Sequence, residues 1–450
     1  MNAALANSQT AGRVLVYGLG NTGLSVARFL AREDVAGVFA DTRAAAPGVD
    51  ELRRIVPDVQ PVLGRPEPAL LDGIARVVAS PGIADRDPLL VAARERGIEV
   101  VSDIQLFVEH AQAPFVAVTG SNGKSTVTTL LGRMCAEAGR RAYTGANLGE
   151  PALDLLAKER PELYVLELSS FQLQRTRDLP ARVAVLLNIS ADHLDWHRDE
   201  AEYREAKYRI LREADAVVIN RADPAMREQV PAGCTCRSFA LDAPRRQNWG
   251  LLSRDGEEWR ACGEDAVMLA SALRLVGRHN LENALAALAA GELLGLERAA
   301  MCRALADFTG LPHRMQFVRE LDGVIYVDDS KATNVAAAIA SVQSLSGSVV
   351  LIAGGQGKGG DFAALADAVA PCLRAAVLIG EDAPAIERAF AGRVPITHAA
   401  TMQQAVSAAR AAARAGDTVL LAPACASFDQ FANYGARGDA FAAAAGELTA

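Results

Sequence analysis

The strongest constraint on the fold is an alternation of short apolar runs, rich in β-branched residues, with segments of helical period. This alternation restarts twice along the chain. Strands that alternate with helices favour parallel sheets covered by helices. We therefore predict an α/β protein of three αβ domains, with boundaries at 1–112, 113–310 and 311–450. The irregular stretch 232–263 is predicted to be a hairpin or an excursion from this pattern.

The second block opens with V-A-V-T-G-S-N-G-K-S-T, where glycines separate a strand-like run from a helical segment. Amides at a helix N-terminus favour anions, so this turn suits a phosphate. Lys124 would supply positive charge, and Ser125 or Thr126 a hydroxyl for Mg²⁺. An ordinary Gly-Lys turn is the alternative. The loop is shorter than the common G-x-x-x-x-G-K-[ST] pattern, because Val118 stands where that pattern has its first glycine. We predict a central sheet of the P-loop ATPase type that binds nucleotide phosphates.

Three more residues of this block are candidates for the same site. Glu167 follows four apolar residues, at the carboxyl end of a predicted strand where ligands of parallel sheets collect. It could bind a metal or cap the next helix. His193 follows the next strand, and a single histidine is more often structural than a ligand. Lys207 lies on a charged helix, where a solvated surface lysine is the ordinary expectation.

The first block carries G-L-G-N-T-G at residues 18–23, with Asp41 at the end of the next strand. This is the dinucleotide-binding fingerprint, and alone it predicts NAD. The turn, however, places any diphosphate on a helix N-terminus. A dehydrogenase has no evident use for a second phosphate loop. The two loops together indicate two phosphate-bearing ligands, one of them a nucleotide-linked substrate, and a Rossmann-like first domain.

The third block, also predicted to be Rossmann-like, has strand candidates at 324–327, 349–352, 376–379 and 418–421. Three polar loops follow such strands: Y-V-D-D-S-K-A-T-N, A-G-G-Q-G-K-G-G-D-F and A-P-A-C-A-S-F-D-Q-F. Carboxyl ends of parallel strands meet at one edge, where ligands bind. The side chains suited to a carboxylate-rich ligand are Lys331, Thr333, Lys358 and Ser427.

Charge and cysteine spacing restrict the class of protein. A net charge of −8 argues against a nucleic-acid partner. The seven cysteines have no zinc-ligand spacing and are interpreted as reduced thiols of a cytoplasmic protein. The sequence lacks a signal-peptide pattern and any apolar run long enough to span a bilayer. We expect small-molecule substrates, no membrane partner and a monomer.

Taken in order, these stretches resemble the Mur ligase family over nearly the whole chain. The motifs that carry the resemblance are G-L-G-N-T-G, D-T-R, S-P-G, T-G-S-N-G-K-S-T, G-A-N-L-G, E-L-S-S-F-Q-L, D-H-L-D, G-R-H-N-L-E-N, G-L-P-H-R, D-D-S-K-A-T-N and P-A-C-A-S. The shortened loop T-G-x-N-G-K-[ST] is the ATP loop of this family. The set is most similar to the members that add D-glutamate to UDP-N-acetylmuramoyl-L-alanine.

The resemblance implies a role for each matching residue. Those expected to hold the UDP-linked substrate are Gly18, Gly20, Asn21, Thr22, Gly23, Asp41, Thr42, Arg43, Ser80, Pro81, Gly82 and, beside the muramoyl part, Asn147. Those expected at ATP are Gly120, Ser121, Asn122, Gly123, Lys124, Ser125, Thr126, Asn280, Asn283, Arg314, Asp329 and Lys331. The expected metal ligands are Ser125, Glu167, His193 and Lys207, and the expected glutamate contacts are Thr333, Lys358, Ser427 and Tyr434. The expected catalytic residues are Lys124, His193, Lys207 and Arg314.

The implied activity is an ATP-dependent amide-bond ligase of peptidoglycan precursor synthesis. It would use ATP, two Mg²⁺ ions and a carbamate on Lys207, and would work through an acyl phosphate. Its three domains would bind the UDP substrate, ATP and the amino acid in chain order.

Several alternatives stay open. The chain could add another amino acid, act as an NAD-dependent dehydrogenase, or be a non-catalytic nucleotide switch. A folate-type polyglutamate ligase is disfavoured, because those enzymes resemble this chain only from the ATP loop onward. Gln356 stands where relatives often carry an acid, which weakens any argument from charge at that loop.

Overall fold

The computed structural model describes residues 12–190, 196–273, 278–357 and 360–449. This part of the chain forms three sheets, of five, nine and six strands, and divides into two compact units. The first unit runs to Asp255 and includes Trp259–Val267 and Asn283–Ala304. The second comprises Gly256–Glu258, Met268–Glu282 and the chain from Leu305 onward.

The first sheet is parallel, as its alternating sequence predicts. Its strands are β1 (Arg13–Tyr17), β2 (Gly37–Asp41), β3 (Val62–Leu63), β4 (Ile74–Ala79) and β5 (Glu99–Val101), in the order β3-β2-β1-β4-β5. Its helices are α1 (Asn21–Arg32), α2 (Val49–Ile55), α3 (Pro88–Glu95) and α4 (Asp103–His110). Side-chain caps fix two helix starts, since Asp87 accepts from Leu89 and Ser102 from Gln105.

The second sheet has nine strands in the order β14-β13-β12-β11-β10-β9-β6-β8-β7. They are β6 (Phe115–Thr119), β7 (Ala142–Ala146), β8 (Leu163–Glu167), β9 (Val183–Leu186), β10 (Ala216–Asn220), β11 (Thr235–Phe239), β12 (Trp249–Arg254), β13 (Glu257–Cys262) and β14 (Asp265–Leu269). Its helices are α5 (Lys124–Glu137), α6 (Ala152–Leu155), α7 (Ser170–Gln174), α8 (Glu200–Tyr208), α9 (Pro224–Glu228), α10 (Arg278–Leu293) and α11 (Arg298–Ala306). The irregular stretch 232–263 therefore extends this sheet with β11 to β13.

The first two sheets share one hydrophobic core, which explains why they form a single compact unit. Phe107 of α4 packs edge-on against Phe115 and Tyr164 of the second sheet, with ring centroids 6.0 and 5.1 Å away. Arg28 of α1 also makes a bidentate ion pair with Asp154 of α6, at 3.0 and 2.6 Å. Apolar side chains from α1, β8 and β9 belong to the same buried cluster.

The third sheet lies in the second unit, with the order β15-β16-β20-β17-β18-β19. Its strands are β15 (Gln316–Leu321), β16 (Val324–Asp328), β17 (Val349–Gly354), β18 (Leu373–Ile379), β19 (Ile396–His398) and β20 (Thr418–Leu421). Its helices are α12 (Val335–Gln343), α13 (Phe362–Val369), α14 (Ala383–Phe390), α15 (Met402–Ala412) and α16 (Tyr434–Glu447). All four predicted strands are present. The sequence analysis did not predict β15, which is antiparallel, or the short edge strand β19.

None of the helices in the described ranges is both long enough and apolar enough to span a membrane.

Candidate functional site

The phosphate loop lies between β6 and α5, as its glycines predict. Gly123 has φ +83°, and a methyl group there would lie 2.2 Å from Asn283 Oδ1 on α10. Helix α5 begins at Lys124, and its N-cap residue Gly123 provides no side chain to accept hydrogen bonds from the first-turn amides. The amides of Ser121 and Asn122 donate to the backbone and side-chain oxygens of Asn188, each at 2.8 Å. The loop is therefore fixed by the neighbouring strand end and suited to an anion.

Two lysines meet at one carbonyl of this loop. Lys124 Nζ donates to the carbonyls of Gly120 and Ser121, both at 2.9 Å. Lys207 Nζ, on α8, donates to the same Gly120 carbonyl at 2.8 Å. Lys207 is only 2% exposed, so the expectation for an ordinary surface lysine is wrong. Lys207 is thus a buried amine beside the phosphate loop.

Tyr203 completes this part of the site, and the sequence analysis missed it. It lies one turn before Lys207 on α8, and the amine of Lys207 sits 4.7 Å from the centre of its ring. Its hydroxyl is 2.8 Å from Ser121 Oγ. An aromatic residue four positions before the candidate lysine was the available signal, because such residues share a helix face.

Glu167 ends β8, next to the strand that carries the phosphate loop. It is 3% exposed, and Asn147 Nδ2 donates to its Oε1 at 2.6 Å. Within the described part of the chain no donor reaches the buried Oε2. A carboxylate oxygen left without a donor at a strand end suits a hard cation such as Mg²⁺. No cluster of three or more candidate metal ligands of the His, Cys, Asp or Glu type occurs among the described residues.

Two predicted site residues, His193 and Lys358, lie outside the described residues. Asn283 is placed against the phosphate loop, and Asn280 lies one turn earlier on α10. Ser125 and Thr126 occupy the first turn of α5.

The first glycine loop joins the S-P-G loop at the carboxyl edge of the first sheet. Gly18 has φ +104°, and its carbonyl accepts a hydrogen bond from Ser80 Oγ at 2.9 Å. A methyl group at Gly23 would lie 1.9 Å from the Gly18 carbonyl oxygen, so helix α1 needs this glycine to approach the turn. Asn21 and Thr22 begin α1 directly after Gly20, and Pro81 and Gly82 follow Ser80 in the loop after β4.

Asp41 organises this edge through its own hydrogen bonds. The amide of Leu19 donates to it at 2.7 Å, and the Arg43 guanidinium at 2.8 and 2.7 Å. Burial alone would raise the pKa of Asp41, but these hydrogen bonds outweigh it and lower the pKa to about 2. Both carboxylate oxygens are thus engaged by the chain itself. Thr42 lies between the two paired residues.

In the second unit, the three polar loops follow β16, β20 and β17, which are adjacent strands of one sheet. The prediction that these loops share one edge is confirmed. Gln356 and Ala426 exchange backbone hydrogen bonds at 2.9 Å, which join two of the loops. This pairing uses the backbone of Gln356 and does not depend on its side chain.

Arg437, on α16, joins all three loops and was also missed. It is 1% exposed, and it donates to Ser330 Oγ at 3.0 Å, to the Ser330 carbonyl at 3.0 Å and to the Cys425 carbonyl at 3.1 Å. A longer contact of 3.5 Å reaches the carbonyl of Gly354. Arg437 follows the predicted loop 422–431 by six positions, but no local pattern indicated that it reaches the other two loops, which lie more than seventy positions earlier.

Several other candidates of the second unit lie in or beside the loop after β16. Lys331 Nζ lies 4.2 Å from the centre of the Tyr434 ring. Asp329 accepts hydrogen bonds from the Met315 amide, at 3.2 Å, and from Ser341 Oγ. Burial raises the pKa of Asp329 despite these donors. Arg314, Thr333 and Ser427 also belong to this unit, and Ser427 is buried in the loop after β20.

Comparison with known families matches three successive models to the chain. Residues 12–102 match the Mur ligase MurD-like N-terminal domain, residues 118–291 the Mur ligase middle domain, and residues 313–425 the Mur ligase glutamate ligase domain.

Curated relatives extend over almost the whole chain. The UDP-N-acetylmuramoylalanine–D-glutamate ligase of Chromohalobacter salexigens is 48% identical over 440 residues, covering 96% of each chain. The ligase of the same name from Pseudomonas aeruginosa is 47% identical over 438 residues, covering 96% of this chain and 98% of that protein.

Solved structures share the fold at low identity. The UDP-N-acetylmuramoyl-L-alanyl-D-glutamate–2,6-diaminopimelate ligase has a TM-score of 0.57 at 22% identity and covers 86% of each chain. The UDP-N-acetylmuramate–alanine ligase of Thermotoga maritima has a TM-score of 0.54 at 16% identity, covering 92% of this chain and 96% of that one. The fold, the order of the site loops and the nearly full-length identity agree, and the chain therefore belongs to the Mur ligase family.

Proposed function

We propose that the protein is an ATP-dependent ligase that joins D-glutamate to UDP-N-acetylmuramoyl-L-alanine in peptidoglycan precursor synthesis. The observation that carries this proposal is the 46–48% identity to ligases of that name over at least 95% of the chain. The anion-binding loop with two lysines and a buried carboxylate supports the ATP-dependent part. The match of residues 12–102 to the Mur ligase MurD-like N-terminal domain counts against the dehydrogenase alternative.

In this proposal each αβ block provides the principal binding site for one ligand. The block 1–112 binds the UDP substrate, the block 113–310 binds ATP, and the block 311–450 binds the amino acid. The alternation of the sequence and the three separate sheets support these boundaries. We also propose that the enzyme is cytoplasmic and monomeric, and the scattered spacing of its cysteines suits a reducing compartment.

The reaction begins with transfer of the ATP γ-phosphate to the carboxylate of the L-alanyl group, which gives an acyl phosphate and ADP. The amine of D-glutamate then attacks the acyl carbon, the C–N bond forms, and phosphate leaves. Phosphoryl transfer depends mainly on positioning and neutralised charge. Lys124 supplies this charge from the phosphate loop, and Arg314 supplies it from the third block.

Two Mg²⁺ ions fit the residues present. Ser125, Glu167, His193 and Lys207 would hold them, and the Oε2 of Glu167, which no donor among the described residues reaches, supports this assignment. When bound, the ions would neutralise charge on the phosphate oxygens. Lys207 would bind through a carbamate, formed when its neutral amine adds to CO₂ and releases a proton. The carbamate replaces a cation by an anionic oxygen ligand, which a hard cation prefers.

The other candidate residues hold the two remaining substrates. Thr333, Lys358, Ser427 and Tyr434 would bind D-glutamate, and Asn280, Asn283, Asp329 and Lys331 would contact the nucleoside of ATP and its surroundings. The residues proposed for the UDP-linked substrate are those at the carboxyl edge of the first sheet, with Asn147 beside the muramoyl group. The adjacency of the loops after β16, β17 and β20 supports a shared amino-acid pocket.

Product formation tests the proposed function. The chain, incubated with ATP, Mg²⁺, UDP-N-acetylmuramoyl-L-alanine and D-glutamate, should form a product whose mass is larger by one glutamyl residue, measured by mass spectrometry. A product with a different amino acid only would change the assigned specificity, and no product with any amino acid would contradict the ligase.

The carbamate is tested by substitution of Lys207. Lys207→Ala should lose most activity, and Lys207→Arg should do no better because a guanidinium cannot form this carbamate. Added formate or acetate should partly restore the alanine variant. Lys158→Ala, which removes an exposed lysine of the same unit, is the control and should keep normal activity. Normal turnover of either Lys207 variant would contradict the carbamate assignment.

A further inference from the structure

Arg175 links the central sheet to a loop of the first sheet. It directly follows α7, and its side chain is 2% exposed. Its guanidinium donates to the Ser80 carbonyl at 3.1 Å, to the Ala79 carbonyl at 3.4 Å and to the carbonyl of Ile83. It also pairs with Asp85 Oδ1 at 2.8 Å. Four acceptors on both sides of the S-P-G sequence therefore converge on one buried cation.

The loop held in this way supports the glycine turn beside it. Ser80 donates through its amide to the Tyr17 carbonyl and through Oγ to the Gly18 carbonyl, both at 2.9 Å. A displacement of Ser80 would therefore move the Gly18 turn as well. These are the two loops assigned above to the UDP-linked substrate.

The Arg175 guanidinium also packs over Trp196, with its central carbon 5.5 Å from the centre of that ring. Arg86, from the first sheet's loop, donates to the Trp196 carbonyl at 3.1 Å. Burial alone would raise the pKa of Asp85, but Arg175 and Arg94 outweigh it and lower that pKa. The carboxylate thus stays charged and matches the buried guanidinium, which would be costly without a partner.

We propose that Arg175 is a positioning residue for the UDP-linked substrate, because it fixes the Ser80–Gly82 segment against the central domain. This inference rests on the proposed function. The buried guanidinium offers almost no surface to a ligand, so it acts through the shape of the loop. A loop shaped in advance binds its ligand without a further ordering cost. Loss of Arg175 should therefore weaken binding of the UDP substrate and leave the phosphate loop of β6 unaffected.

The test measures two affinities on each variant by isothermal titration calorimetry. UDP-N-acetylmuramoyl-L-alanine is titrated without ATP, and ATP with Mg²⁺ is titrated separately. Arg175→Met should weaken binding of the UDP substrate by at least about tenfold, since each hydrogen bond to a charged group contributes to holding the loop. Its ATP affinity should stay within about threefold of the wild type. Arg175→Lys can donate to only some of the four acceptors, so its affinity for the UDP substrate should lie between those of the wild type and Arg175→Met.

Arg94→Met is the matched control. Arg94 pairs with the same Asp85 carboxylate at 2.6 Å and with its backbone carbonyl, but it is 40% exposed and reaches none of the other three acceptors. Its variant should bind both ligands normally. If Arg175→Met fails to fold, the two affinities of Arg175→Lys are compared with those of the wild type and Arg94→Met instead.

Three outcomes would overturn the assignment in different ways. Unchanged affinity for the UDP substrate in the folded Arg175 variants would refute the positioning role alone. Equal losses for both ligands would show that Arg175 serves general stability and not this loop. Failure of the wild-type chain itself to bind the UDP substrate would contradict the proposed function, and this assignment with it.

Discussion

Replacement of the buried Arg437 by methionine tests whether one side chain holds the three loops of the candidate amino-acid pocket. Burial lowers the pKa of Arg437 to about 10, so the guanidinium is still charged at neutral pH. Methionine is apolar and leaves the carbonyls of Ser330 and Cys425 buried without their donor. Each unsatisfied group costs about 1–3 kcal/mol. Removal of the buried charge offsets part of this cost, and we expect the free energy of unfolding to fall by about 3 kcal/mol in total.

The same change should weaken amino-acid binding, because the freed loops carry the candidate glutamate contacts Thr333 and Ser427. We expect the KM for D-glutamate to rise by at least about tenfold, equivalent to about 1.4 kcal/mol. The KM for the UDP substrate should change by less than about threefold, since its candidate loops belong to the first unit. Equilibrium denaturation measures the stability of the variant. Steady-state kinetics measure its two KM values.

Arg319→Met is a control within the same unit. Arg319 donates to the carbonyls of Ala445, Gly446 and Leu448, at 3.0, 3.0 and 3.1 Å, at the far end of α16. Its loss should lower stability without raising the KM for D-glutamate. If Arg437→Met lowers stability but leaves that KM unchanged, the loop-holding argument is refuted. If it leaves stability unchanged, the estimate of its buried hydrogen bonds is wrong.

Three further changes test other parts of the structure. Gly123→Ala should abolish measurable ATP binding, because φ is +83° and the methyl group would lie 2.2 Å from Asn283 Oδ1; wild-type affinity by calorimetry would contradict this geometry. Glu167→Gln should raise the Mg²⁺ concentration for half-maximal activity by about tenfold or more, and an unchanged Mg²⁺ titration would remove Glu167 from the metal site. Burial raises the pKa of Asp103 to about 6, although Gln172 donates to it. The folded chain therefore binds a proton on Asp103 more tightly than the unfolded chain does. The protonated carboxyl group stabilises the fold fully below about pH 4, and this stabilisation is lost as the pH rises through about 6. Measured relative to the Asp103→Asn variant, the free energy of unfolding of the wild type should fall by up to about 3 kcal/mol across that pH range. If the two proteins have parallel profiles of stability against pH, the raised pKa of Asp103 is contradicted.

Local sequence patterns were sufficient for much of the fold. The run before the phosphate loop became β6, and the helical segment after it became α5, because both patterns are set by neighbouring residues. The strand β15 was missed because it is an antiparallel addition to an otherwise parallel sheet. No local pattern distinguishes such a strand from a connecting segment.

Much of what holds the candidate site together depends on contacts between distant parts of the chain. Arg175 contacts carbonyls more than ninety positions earlier, and Arg437 reaches Ser330 across 107 positions. The burial of Lys207 likewise depends on where α8 packs, because its own sequence is that of a solvated helix. Motifs therefore identified the candidate ligand-binding residues, while the side chains that position them required the structure.

The most direct test of the central claim is phosphate release from ATP and Mg²⁺ in the presence of UDP-N-acetylmuramoyl-L-alanine, with D-glutamate, L-glutamate or no amino acid in parallel. The proposed function predicts turnover with D-glutamate alone. Turnover only with a different amino acid would contradict the assigned specificity, and the absence of turnover with any amino acid would contradict the ligase itself.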